Sequence, residues 1–145
     1  MDRSVALAKL DSLRRCLRRI ESRRPATVSA LLDDVDAQDV LCLNLERAVQ
    51  LCVDLAAMRL ADTDEPPPAS MREAFLGLAR QQLLPRDLAW RLSAAVTMRN
   101  ILVHEYVRID WGIVFSAVYQ GLADFEDFAR YLAACTSRPE SEGIR

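Results

Sequence analysis

The sequence predicts an all-α protein, an up-and-down bundle of four to five main helices, and three observations carry that prediction. Leu, Ala and Arg are abundant while Gly occurs only 4 times and aromatic residues make up 6%, a balance that favours helix over sheet. Apolar residues recur three and four apart in long segments, the period of a helix face. Those segments are punctuated by Pro, Asp and Ser, with no alternating strand pattern between them. At 145 residues with 51% apolar and 28% charged side chains, the chain is globular rather than disordered. That length suits one domain burying roughly 70% of its unfolded surface.

The first helix is expected from about Asp2 to Arg23, stopped by Pro25. Its apolar stripe is Val5, Leu7, Leu10, Leu13, Leu17 and Ile20, with arginines on the outer face. Thr27 is placed to cap a short helix through Leu32. The stretch from Asp36 to Asp39 offers the cap of a long helix reaching Ala61. Along that helix Val40, Leu43, Ala48, Leu51, Leu55 and Met58 form the stripe, and Asn44, Glu46, Arg47 and Gln50 interrupt it.

Residues 62–69 contain three consecutive prolines and break the chain. Ser70 and Glu73 then form a capping box for a helix through about Gln82. Pro85 suits the first turn of a further helix to about Val103. Asp110 caps the last helix, which is expected to end near Ala134. Residues 1–134 thus form the bundle domain and 135–145 a flexible tail. Internal repeats and Gly-rich phosphate loops are absent from the sequence.

Cys16, Cys42, Cys52 and Cys135 each fall in an apolar helical pattern without a CxxC pair, so they read as buried, reduced thiols. With one histidine in the chain and no ligand spacing, no metal or cofactor is expected. No run approaches the ~18 apolar residues of a membrane span. The opening MDRSVALAKLDS has charges where a secretion signal is apolar, which makes a cytoplasmic location the default.

Net charge is only −2, which excludes a generic nucleic-acid-coating protein, but it is unevenly spread. Residues 1–24 hold eight basic groups against three acidic ones, a local +5 that leaves −7 elsewhere. Such a basic edge is either a solvated helix face or a place for phosphate or an acidic partner.

The segment Met98 to Tyr106 sets Arg99, Asn100, His104 and Tyr106 within an apolar stretch. Asn100 and His104 are four apart, where an amide can orient an imidazole. Arg99 lies about 140° around an ideal helix from His104, so a long side chain or a loosened last turn is needed to bring them together. Arg99 and Tyr106 would share a face if the helix continued. Cleavage of RNA without metal requires a base for the ribose 2′-OH, an acid for the leaving oxygen and positive charge at the phosphorus. His104 can move the proton and Arg99 can clamp phosphate. A two-fold dimer would supply two histidines to one cleft. A histidine that merely caps the helix end is the competing reading.

Read as R-x4-H-x-Y, residues 99–106 resemble the signature of HepT-like toxins of the HEPN superfamily. The likeness extends to Asn44–Gln50, Pro68–Phe75, Arg99 to Asp110 and Leu122–Phe128, so it covers about residues 1–134. The resemblance implies a helical bundle that forms a two-fold dimer with the motif at its cleft. It implies the toxin of a type VII toxin–antitoxin system, a metal-independent endoribonuclease acting on tRNA or mRNA. Arg99 and His104 would then be catalytic, with Asn100 supporting them. The implied partner is a minimal nucleotidyltransferase antitoxin that silences the toxin by transferring AMP to Tyr106. A non-catalytic HEPN module that docks such an enzyme or its substrate is the alternative.

Overall fold

Side chains that close the first turn set most of the helix starts. The computed structural model describes residues 1–136, and all of its regular structure is helical. The elements are α1 (Arg3–Arg23), α2 (Val28–Leu32), α3 (Val35–Leu60), α4 (Met71–Arg80), α5 (Arg86–His104), α6 (Trp111–Tyr119) and α7 (Leu122–Thr136), with a short 3-10 turn at Tyr106–Arg108. Asp2, Thr27, Ser70 and Asp110 accept backbone N–H groups at the starts of α1, α2, α4 and α6, the last three as their positions predicted. Residues 137–145, most of the expected tail, lie outside the described residues.

Three boundaries differ from expectation. The cap of α3 is Asp34, whose carboxylate accepts from the Ala37 N–H at 3.0 Å. Asp36 instead lies inside the first turn, where its charge faces the positive end of the helix dipole. α4 stops at Arg80 in a Schellman reversal, with Leu83 N–H on Leu78 O and Gln82 N–H on Ala79 O. Gln82 takes the left-handed position at φ 59°, which Gly more often fills. The expected last helix is two, because the chain turns at Gly121. A Cβ there would come within 2.7 Å of the Ala117 carbonyl oxygen. α7 then runs two residues past Ala134, and the Thr136 hydroxyl bonds Ala133 O.

α3 is the central rod, packed by every other α-helix of the described chain. Burial on several sides replaces the single stripe expected from its sequence. Leu43 is 44% exposed, whereas Asn44 is 3% exposed and donates to Val40 O at 2.8 Å. α1 lies antiparallel along α3, tied by the Met1 amino group to Asp62 and by Lys9 to Asp54. It buries Ala6, Leu10, Leu13, Cys16, Leu17 and Ile20, while Val5 and Leu7 face solvent. Phe75 and Phe128 meet edge to face at 5.8 Å, locking α4 to α7. Tyr119 donates to Pro25 O, and Arg24 stacks on its ring, which holds α6 against the exit from α1.

The four cysteines are unpaired; Cys16 and Cys52 are buried, Cys42 and Cys135 half-buried. Burial pushes the Cys42 thiol up to about 11 and raises Cys16 and Cys52 as well. Among the described residues no helix is long and apolar enough to cross a membrane.

Candidate functional site

α5 carries the motif on its last two turns. Val96 and Leu102 are buried and fix that end of the helix against the core. Arg99 is half-buried, and Asn100 and His104 are exposed. The helix stays regular through His104 and stops at Glu105, whose φ of −136° and ψ of 39° leave the helical region. The 3-10 turn Tyr106–Arg108 follows, closed by Arg108 N–H on Glu105 O at 2.7 Å. Asp110 then starts α6.

That backbone path decides two expectations. α5 does not continue through Tyr106, so the seven-residue spacing does not place Arg99 and Tyr106 on one α-helical face. Nor is the last turn loosened, so Arg99 and His104 project about 140° apart around α5. His104 faces solvent with no hydrogen-bond partner among the described residues. Asn100 does not orient the imidazole: its Oδ1 accepts from Arg99 Nη1 at 3.3 Å. The amide therefore supports the arginine rather than the histidine.

Arg99 reaches back to α3, where its Nη2 donates to Gln50 Oε1 at 3.3 Å. Gln50 Nε2 donates in turn to Asp54 Oδ1 at 2.9 Å. The other oxygen of Asp54 accepts from Lys9 Nζ at 3.1 Å. Three helices thus contribute to one polar chain, Lys9 to Asp54 to Gln50 to Arg99. The order is forced by donor chemistry. Asp54 can only accept, so the Gln50 amide turns its N–H₂ toward it and offers its oxygen to Arg99. Arg99 Nε is buried without a hydrogen-bond partner among the described residues.

Sequence reasoning found Arg99, Asn100, His104 and Tyr106 but missed Lys9, Asp54 and the role of Gln50. A signal existed: Gln50 and Asp54 are polar residues four apart on a mostly apolar helix. That the pair faces Arg99 follows only from packing.

Two amides position the Arg99 guanidinium, and no carboxylate among the described residues comes within ion-pair distance of it. Its charge is held in place but not neutralised, which suits an anionic ligand.

The chain is 32% identical to the mRNA nuclease HepT of Shewanella oneidensis over 130 residues, covering 90% of this chain and 97% of that protein. It is 25% identical to the tRNA nuclease HepT of Aphanizomenon flos-aquae over 124 residues, 86% of this chain and 84% of that one. Among solved structures it resembles the tri-AMPylated HEPN toxin of Shewanella oneidensis in complex with its MNT antitoxin. That likeness has a TM-score of 0.84 and 31% identity, covering 92% of this chain and 98% of the other. The family described as Ribonuclease HepT-like matches residues 13–132, and the chain belongs to that family.

Proposed function

We propose that this protein is the toxin of a type VII toxin–antitoxin pair, an endoribonuclease that cuts cytoplasmic RNA without a metal ion. The carrying observation is the Arg99 guanidinium, fixed by Gln50 and Asn100 without a carboxylate, five residues before an exposed imidazole that has no partner among the described residues. In the reaction a base removes the ribose 2′-OH proton, and the 2′-oxygen attacks the adjacent phosphorus. The P–O5′ bond breaks, an acid returns a proton to the leaving 5′-oxygen, and a 2′,3′-cyclic phosphate remains. His104 is the group suited to proton transfer near neutral pH. Arg99 stabilises the charge that builds on the non-bridging oxygens.

The separation of Arg99 and His104 around α5 gives the dimer a chemical purpose. A two-fold partner that apposes the two α5 ends supplies the second imidazole and guanidinium, so that base and acid come from different copies. Silencing acts on the same motif. The partner nucleotidyltransferase transfers AMP from ATP to the Tyr106 hydroxyl, releasing pyrophosphate. Tyr106 lies two residues past His104 in the sequence, and a bulky, negatively charged adenylyl group on it would repel the RNA phosphate.

The test is cleavage of total RNA by the purified, unmodified protein in excess chelator. Discrete products from wild type, lost by 10²-fold or more in His104→Ala and Arg99→Ala, are expected. Tyr106→Phe should cut RNA yet resist silencing by the nucleotidyltransferase with ATP. Absence of cleavage by a folded wild-type dimer would sink the nuclease reading in favour of a docking module.

A further inference from the structure

The mechanism leaves one charged feature unused, the arginine face of α1. Arg14, Arg15, Arg18, Arg19 and Arg23 are all exposed, and none meets a carboxylate within ion-pair distance among the described residues. Elsewhere the arginines divide: Arg59, Arg80, Arg91, Arg108 and Arg130 each contact an acidic side chain, whereas Arg47, Arg72, Arg86 and Arg99 meet none among the described residues. The neighbouring cations of α1 also have structural work. Lys9 holds Asp54, and Arg24 donates to Val118 O and covers Tyr119. What sets α1 apart is concentration: five arginines without an acidic partner lie within ten residues of one helix.

Their spacing is ordered. Arg14 with Arg18, and Arg15 with Arg19, are i,i+4 pairs, two rows with a step of about 6 Å along the helix. Like charges at that spacing repel and destabilise an isolated helix. The step is comparable to that between successive phosphates of an extended strand, and each guanidinium fork matches a phosphate.

An acidic protein is a poorer fit. Leu13, Cys16, Leu17 and Ile20, the apolar residues among these arginines, are all buried. The exposed surface there lacks the apolar anchor on which a protein interface is centred.

The basic strip also leads toward the site. α1 runs antiparallel to α3, with Met1 on Asp62 and Lys9 on Asp54, so the α1 residues after Lys9 run alongside the α3 residues before Asp54, Arg47 among them. Arg47 is exposed, and it stands one turn before Gln50, the residue that holds Arg99.

We infer that the arginine face of α1, continued by Arg47, is the track on which the RNA backbone lies as it enters the Arg99–His104 site. This rests on the nuclease reading for its biological sense, but binding can be measured without cleavage.

The experiment uses the full chain carrying His104→Ala and a labelled single-stranded oligoribonucleotide, with affinity followed across salt concentrations. Replacing Arg14, Arg15, Arg18 and Arg19 by Gln should raise Kd at least tenfold at low salt. The slope of log K against log salt should fall by about 0.7 for each arginine removed. The four-Lys counterpart should keep the slope. Should the four-Gln protein misfold, the pair Arg18→Gln/Arg19→Gln alone should lower the slope by about 1.4. Unchanged affinity and slope in a folded variant would overturn the proposal. So would intact RNA binding with weakened capture of the nucleotidyltransferase, which would make the face a protein dock. Loss of RNA cleavage by the wild-type chain, with the salt slope intact, would sink the nuclease reading alone.

Discussion

Arg80 and Arg99 both sit in the closing turns of a helix, yet the protein treats them in opposite ways. Arg80 forks onto Glu65 through Nε and Nη2, at 3.0 and 3.1 Å, and reaches Glu73 at 3.0 Å. These contacts raise its already high pKa and hold the Glu65 carboxyl below the usual range, chiefly through the Arg80 hydrogen bond. The charge is cancelled and the fork is occupied, so Arg80 staples residues 62–69 to α4. Arg99 is held by the oxygens of Gln50 and Asn100 and keeps its full charge. The nearest carboxylate along the chain of contacts, Asp54, is one residue removed and already occupied by Lys9. A carboxylate partner makes an arginine structural, whereas an amide partner positions it and leaves it available to phosphate.

The sharpest way to break this comparison is to give Arg99 the kind of partner that Arg80 has. Gln50→Glu should lower kcat for RNA cleavage by about 100-fold, because the new carboxylate neutralises the charge that meets the phosphorane. Gln50→Ala should cost about tenfold, the loss of one hydrogen bond to a charged group. The two variants should melt near the wild-type temperature, so a parallel collapse of Tm would mark Gln50 as merely structural. Equal activity of Gln50→Glu and wild type would end the contrast.

A smaller effect is expected at the other arginine. Arg80→Gln should leave RNA cleavage within twofold of wild type and lower Tm slightly, a loss that fades in high salt because the pair is exposed. Loss of cleavage in Arg80→Gln would erase the distinction.

The smallest effect is in pH. Glu65, Asp87 and Asp2 all have lowered carboxyl pKa values, through hydrogen bonds from Arg80, Arg91 and the Val5 N–H respectively. A depressed folded-state pKa contributes stability above the unfolded value, about 4.3 for Glu, and that stability is lost as pH falls through the folded value. Thermal melts should therefore hold level from neutral pH to about 5 and decline below 4, with a shallower decline in Glu65→Gln. An unchanged decline in that variant would assign the acid lability to other carboxylates.

Much of the fold was legible from local signals. Thr27, Ser70 and Asp110 announced helix starts because a cap joins groups only two or three residues apart. The same locality produced the errors. Asp33, Asp34 and Asp36 are all competent caps, and only the extended backbone at Asp34 selects one of them. The stretch from Trp111 onward has no proline to mark a break, and the turn at Gly121 depends on a close approach to Ala117 that only a residue without a Cβ allows and a one-dimensional pattern does not display. Val5 and Leu7 belong to the apolar stripe of the first helix, yet α1 leaves them exposed and buries Ala6 instead.

The sequence by itself determined all the helices but the split of the last, most of their caps and the grouping of Arg99, Asn100, His104 and Tyr106, because each of these spans a few residues of one helix or turn. Tertiary structure decided what each motif residue touches. It turned Asn100 from His104 to Arg99 and ended α5 before Tyr106. It also recruited Gln50, 49 residues from Arg99, and joined Asp54 to Lys9 across 45 residues. The physical reason is range. Caps and helical periods are set by neighbours along the chain, whereas the chemical state of an arginine depends on whichever acceptors packing brings to its guanidinium.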